Sequence, residues 1–188
     1  NVVWRAAAIG AWFAFAALAA GAQGFDRNRS RIGFELQTRW GQRLQGVFPD
    51  YDGEVEILAD GRHRVRMDLR TASVEIVDHP NYTGFSRSDA FFDAARYPDI
   101  RFVSDPYPVA LLRSGGPLHG VLEMHGVRRR QSFEIAPPPA ECVRPAYDCD
   151  LEVAGSVRRS DYGLDAWQIA VRDRVRFVLR VRLVAEAG

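Results

Sequence analysis

The sequence predicts an all-β protein, folded as an antiparallel barrel of roughly eight strands with a short helical insert near one mouth. Three observations predict it. Apolar and polar residues alternate with period two in segment after segment, the mark of strands with one buried and one wet face. Turn-forming pairs punctuate these segments, and no long helical pattern appears after residue 23. A many-stranded antiparallel sheet leaves exposed edges, and closure into a barrel removes them. A two-sheet sandwich is the second architecture the same pattern would satisfy.

The chain has 188 residues and a formal net charge of +1, enough for one domain with a sizeable core. Asn1 to Arg5 is a short stub with one positive charge, followed by an uninterrupted apolar or small run from Ala6 to Ala20. Ala20-Gly21-Ala22 fits a small-x-small cleavage site. This is the pattern of a secretory signal peptide over residues 1–22, leaving a barrel domain over 23–188 in the periplasm or outside the cell. A retained membrane anchor is the rival. Alanine is weakly hydrophobic and a cleavage site follows at once, which favours the signal peptide. Export permits a disulfide between the two cysteines, Cys142 and Cys149, across a Pro-containing hairpin loop.

Five strands read most clearly. Ile32, Phe34 and Leu36 share one face of the first, and Val55 and Ile57 share one of the next. Val65, Met67 and Leu69 alternate with Arg64, Arg66, Asp68 and Arg70. Leu118, Gly120, Leu122 and Met124 form another inward row, and Val175, Phe177, Leu179, Val181 and Leu183 the last. Arginine and acid line the opposite faces, so the outside is wet and the barrel is not a membrane barrel. The pattern leaves open whether the lumen is filled or hollow. One stretch breaks the alternation. In "SRSDAFFDAARYP" Ser86 can serve as an N-cap, Asp89 to Arg96 read as two helical turns, and Pro98 ends them. Phe91 and Phe92 would then stand about 100° apart, which suits a helix lying across a barrel mouth.

That stretch, continued as "SRSDAFFDAARYPDIRFVS", resembles the signature segment of YceI-like proteins. "FDRNRSRIGFEL", "GVFPDYDGEVEI", "LHGVLEMHGVRRRQSFEI" and "GSVRRSDYGLDAW" resemble further family segments, in family order, over roughly residues 25 to 185. Phe85 stands where the family has leucine, and "VRRRQ" replaces its usual Thr-Lys-Pro run. The resemblance implies a lipocalin-like, extended eight-stranded barrel in an exported protein. It implies an apolar interior holding a long isoprenoid, such as a polyprenyl lipid or quinone tail, with no catalytic residues and no cofactor beyond that ligand. The inward faces then give the expected ligand lining: Phe34, Leu36, Val55, Ile57, Val65, Met67, Leu69, Phe102, Leu122, Met124, Phe177 and Leu179, with Phe91 and Phe92 near a mouth.

Other functions find little support. No nucleophile elbow, phosphate-binding loop or dinucleotide fingerprint is present. His119 and His125 would share a strand face but lie too far apart to chelate one ion, and two cysteines do not make a zinc site. The arginines of 172–182 and 128–130 read as a solvated face paired to acids. Balanced charge and export argue against nucleic acid, whereas transient contact with an anionic membrane surface suits a lipid carrier. An exposed mouth with an apolar rim would invite a homodimer. The alternative to a carrier is an exported interaction or structural module with a filled core, acting through its outer surface. Gly163 fits a tight turn with positive φ. Trp40 and Trp167 fit either rim or core.

Overall fold

The computed structural model describes residues 21–185. The signal-peptide expectation therefore lies almost wholly outside the described residues. Eleven strands follow one another: β1 (Ala22–Gly24), β2 (Arg31–Thr38), β3 (Arg43–Val47), β4 (Tyr51–Ile57), β5 (His63–Arg70), β6 (Glu75–Ile76), β7 (Asp99–Ser104), β8 (Gly116–Met124), β9 (Val127–Ile135), β10 (Leu151–Arg158) and β11 (Val171–Val181). Helix α1 (Pro80–Arg87) lies between β6 and β7, and the single turn α2 (Leu111–Ser114) between β7 and β8. The predicted alternation holds along the strands. In β11, Val175, Phe177, Leu179 and Val181 are buried, and Arg172, Arg174, Arg176 and Arg180 are exposed.

All the strands join one antiparallel sheet in the order β1-β4-β5-β7-β8-β9-β10-β11-β2-β3-β6. Two of its members are interrupted. The turn at Asp26–Ser30 separates β1 from β2, where the Asp26 carboxylate accepts from the Asn28 N–H at 3.0 Å. Phe48–Asp50 separates β3 from β4. β1 pairs with β4 and β2 with β3, so each couple is one long strand broken once. Counting each couple once and setting aside the two-residue β6 turns eleven strands into the eight expected. The ring closes where β11 pairs with β2 and Phe25 bridges Leu183.

The two ends differ. At one end the β2–β3 hairpin, residues 71–98, the β8–β9 turn and the β10–β11 connection surround an opening. The other end is covered by α2 and by residues 136–150, where Cys142 and Cys149 are bonded with their Cα atoms 5.9 Å apart. Arg113 on α2 donates to the carbonyls of Cys142 and Val143, fastening these two covers together.

The predicted helix is displaced. Asp89–Arg96 form successive turns, and the helix is α1, upstream, with Pro80 at its start. Proline has no N–H to lose in the first turn and its φ is already helical. Ser86 is no N-cap; it sits in the last turn of α1 and donates to the Tyr82 carbonyl at 2.8 Å. Helix cannot run on because Ser88 is extended and Asp93 is left-handed, at φ +49°. The turns let Phe91 and Phe92 both face inward, 6% and 4% exposed. Thr71 ties off the base of the excursion, its N–H donating to Pro98 O at 2.9 Å and its hydroxyl to Tyr97 O at 2.8 Å.

Inward glycines give large rings room. Phe34 lies against Gly46 and Phe102 against Gly120, on neighbouring strands. A Cβ on Gly120 would come under 3.0 Å from both the Val103 carbonyl and the Phe102 ring. Backbone cannot yield there as a flexible side chain would. Replacing Gly120 with valine is therefore expected to lower stability by about 2–3 kcal/mol in urea unfolding. Valine at exposed Gly61, in the β4–β5 turn, would test only backbone strain.

Candidate functional site

The lumen divides into two cavities with a packed layer between them. The inner cavity, toward the covered end, measures about 60 Å³, room for a few waters. Val55, Val65, Met67, Leu69, Phe102, Leu122, Phe177 and Leu179 line it, as the strand faces predict. So do Phe25, Ile100, Tyr107 and Phe133, which sequence reasoning did not select. The mouth cavity measures about 350 Å³, at the lower end of ligand-binding sites. Leu36 and Phe91 reach it, with Trp40, Tyr82, Phe85 and Trp167. Phe34, Phe91, Phe92 and Met124 form the layer between, where only about 10 Å³ remains. Ile57 lines none of the three. It lies at the covered end of β4 beside Gly21, half-buried and outside the core, because alternation continues past the point where the lumen stops.

Aromatic rings connect these spaces without a gap. From the mouth, Trp167 meets Phe85 at 5.1 Å between centroids, Phe85 meets Phe91 at 6.1 Å, and Phe91 meets Phe92 at 4.9 Å. Phe92 continues to Phe34 at 6.1 Å, Phe34 to Phe177 at 6.3 Å, Phe177 to Phe133 at 6.3 Å, and Phe133 to Phe102 at 5.0 Å. Most of these pairs are tilted or edge-on, the arrangement the ring quadrupoles favour.

One cation is embedded beside this column. Arg159 is 1% exposed and follows β10 in a short 3₁₀ turn. Its Nη1 donates to the carbonyls of Leu164 at 2.9 Å and Ala166 at 3.1 Å, and its Nε to Arg172 O at 3.3 Å. Its guanidinium carbon stands 5.3 Å from the centre of the Phe91 ring. Desolvation pushes its pKa down, opposed by the charges of Asp173 and Asp165, yet an arginine stays charged. The side chain therefore clamps the β10–β11 connection by satisfying carbonyls that would otherwise be orphaned. Trp167 sits in this connection with left-handed backbone, φ +63°, at a cost of about 1–2 kcal/mol. Gly163 caps the 3₁₀ turn at φ +68°.

Burial pushes the Tyr107 phenol up to about 12, so the inner cavity carries no ionised group near neutrality. His125 lies in the β8–β9 turn, not on β8, with Nδ1 3.2 Å from Tyr162 O; it shares no face with His119. No cluster of three metal-ligating side chains exists among the described residues. Many outer arginines pair across the sheet, for example Arg101 with Asp68 at 2.5 Å, Arg130 with Asp105 at 2.6 Å and Arg180 with Glu152 at 3.6 Å, whereas Arg172 and Arg174, expected to pair, have no ion pair among the described residues.

A closed antiparallel barrel with an apolar lumen open at one end is a lipocalin-like architecture. The YceI-like domain family matches residues 24–183, and the chain belongs to that family. Solved structures agree on the fold. BcnA of Burkholderia cenocepacia is similar at 17% identity with a TM-score of 0.66, over 86% of this chain and 99% of that one. A polyisoprenoid-binding domain from Saccharophagus degradans, implicated in plant cell wall breakdown, is similar at 15% identity with a TM-score of 0.63, over 87% and 98%. The Campylobacter jejuni YceI protein is similar at 19% identity with a TM-score of 0.54, over 76% and 85%. No curated protein matches the chain.

Replacing Arg159 with methionine keeps the packing against Phe91 but leaves the Leu164 and Ala166 carbonyls without donors. The expected loss is about 2–3 kcal/mol, with faster amide exchange over 164–170. Lysine should recover only part of it, lacking the planar fork. At the covered end, His63 has a buried Nδ1 with no hydrogen-bond partner, and desolvation lowers its pKa below the ordinary 6.5. A lowered folded-state pKa means stability present above about pH 6.5 and lost as pH falls through the folded value. A His63→Leu variant should show a flatter melting temperature between pH 7 and pH 5 than the parent.

Proposed function

We propose that the chain is an exported, non-catalytic binding protein that holds a long isoprenoid lipid, a polyprenyl chain or a quinone tail, in the barrel lumen. The observation that carries this reading is the apolar column running from the open mouth, past the Phe34–Phe92 layer, to the inner cavity. It is long and narrow, its one charged neighbour, Arg159, is turned to main-chain carbonyls, and it suits a linear apolar molecule. Membership of the YceI-like family and the polyisoprenoid-binding description of a neighbour with the same fold support it. The leader pattern and the Cys142–Cys149 bond fit a periplasmic or secreted location. No cofactor beyond the lipid itself is needed.

Energetics favour such cargo without a polar anchor. Burying one CH₂ gives about 0.8 kcal/mol, so a tail of about forty carbons gives roughly 30 kcal/mol before costs. That exceeds the ceiling of about 18–21 kcal/mol on real affinities, and the surplus is lost in ordering the tail. Part of it also goes into opening the lumen, because the two cavities together are smaller than the tail. Loading must part the Phe34, Phe91 and Phe92 rings.

The 60 Å³ inner cavity favours a second reading. A barrel this full would serve as an exported interaction or structural module acting through its outer surface. One experiment separates the two. Residues 23–188 are purified without detergent, weighed intact by native mass spectrometry, and extracted with organic solvent. A stoichiometric isoprenoid mass is the expected result. A clean empty mass, unchanged after incubation with polyprenyl lipids and quinones, would overturn the carrier and favour the filled module. Met67 is half-buried on the inner cavity wall. Met67→Trp should abolish lipid retention while the protein still melts cooperatively; unchanged retention would remove the inner cavity from the ligand path.

A further inference from the structure

We propose that one lip of the barrel mouth is a membrane-docking surface that seats on an anionic phospholipid bilayer. The lip consists of the β2–β3 hairpin tip and the β10–β11 connection. These two segments are held together: the Arg39 N–H donates to Ala170 O at 2.8 Å, and its Nε to Gln168 O at 2.8 Å. Between them they expose Trp40 at 67%, Trp167 at 51% and Ile169 at 87%. Large apolar side chains this exposed, gathered on one lip, are unusual on a water-facing surface. Tryptophan is the residue that settles at a bilayer's polar boundary.

Charge identifies the occupant. Arg39 in the hairpin turn just past β2, Arg43 on β3 and Arg172 on β11 are exposed on the same lip as the two tryptophans. None of the three is ion-paired among the described residues, in contrast to wall arginines such as Arg70, Arg101 and Arg130. The β10–β11 connection carries two carboxylates, Asp161 and Asp165, against the three arginines; Asp165 accepts from Gln168 at 2.9 Å. Across the mouth, the excursion carries Glu75, Asp78, Asp89 and Asp93 against Arg87 and Arg96. Positive charge therefore gathers on the tryptophan side, and the barrel leans onto that side alone. Aromatic side chains at the boundary, with arginines reaching lipid phosphates, are the chemistry of an interfacial anchor. The mouth cavity opens between Trp40 and Trp167, so docking places the entrance against the acyl region. In that last respect the inference rests on the lipid-carrier reading; the docking itself does not.

The chain has four tryptophans. Trp4 and Trp12 fall in the leader, so residues 23–188, which hold the whole family-matched domain, report only on the lip. The test uses this protein after organic extraction, with vesicles of phosphatidylcholine alone and of phosphatidylcholine with phosphatidylglycerol. Expected are co-sedimentation with the anionic vesicles, a blue shift in tryptophan emission, and release on raising salt. Trp40→Ser with Trp167→Ser should abolish co-sedimentation. Arg39→Gln, Arg43→Gln and Arg172→Gln together should weaken it roughly a hundredfold. All these side chains are exposed, and circular dichroism checks that the variants fold. No binding to anionic vesicles at low salt would overturn the proposal, as would undiminished binding by the triple arginine variant. A dimer that the two serine substitutions dissociate, without vesicle binding, would assign the lip to a second copy instead. Vesicle binding by a protein that never carries isoprenoid would refute the carrier and leave docking standing; isoprenoid retention without vesicle binding would do the reverse.

Discussion

A closed ring of eight strands has a fixed amount of interior, and every inward side chain competes for it. The protein meets this constraint by setting glycines opposite phenylalanines. Phe34 over Gly46 and Phe102 over Gly120 lie along the wall where a side chain on the neighbouring strand would push them toward the axis. The lumen can then be both aromatic and incompletely filled. It also stays adaptable, since a ring lying against bare backbone can turn aside at little steric cost. The narrow layer at Phe34, Phe91 and Phe92 is the place where that freedom would be used.

The mouth depends on a second constraint, the Arg159 clamp. Most buried cations are matched by carboxylates. Arg159 instead spends its donors on main-chain carbonyls of the segment that carries Trp167. A single buried side chain thus sets the position of an exposed one, and Phe91 links both to the aromatic column. Rigidity at the rim and adaptability in the interior are properties of different residues.

The strand faces were legible because alternation is a local signal, and closure followed from the number of strands. Val55, Met67, Leu122 and Phe177 fall on the lumen wall for that reason. Ile57 marks where the rule ends: period two says which side a residue faces, not whether the lumen reaches that far. The helix was misplaced because "SDAFFDAAR" has helical composition, while Pro80 gave the stronger start signal. The need to bury Phe91 and Phe92 together overrode local propensity. Trp40 and Trp167 could not be assigned from sequence, since they come from segments more than a hundred residues apart that meet only in the fold. The role of Arg159 was equally hidden, because it is defined by carbonyls, which every residue has.

β1 begins at Ala22, at the covered end. The chain therefore enters the barrel from the side opposite the tryptophan lip. β11 spans eleven residues, so the two ends stand about 30 Å apart. An anchor joined directly ahead of β1 would tether the barrel with its opening turned away from that membrane. Cleavage ahead of β1 would free it to turn over, so processing there would govern the polarity of the barrel as well as its release.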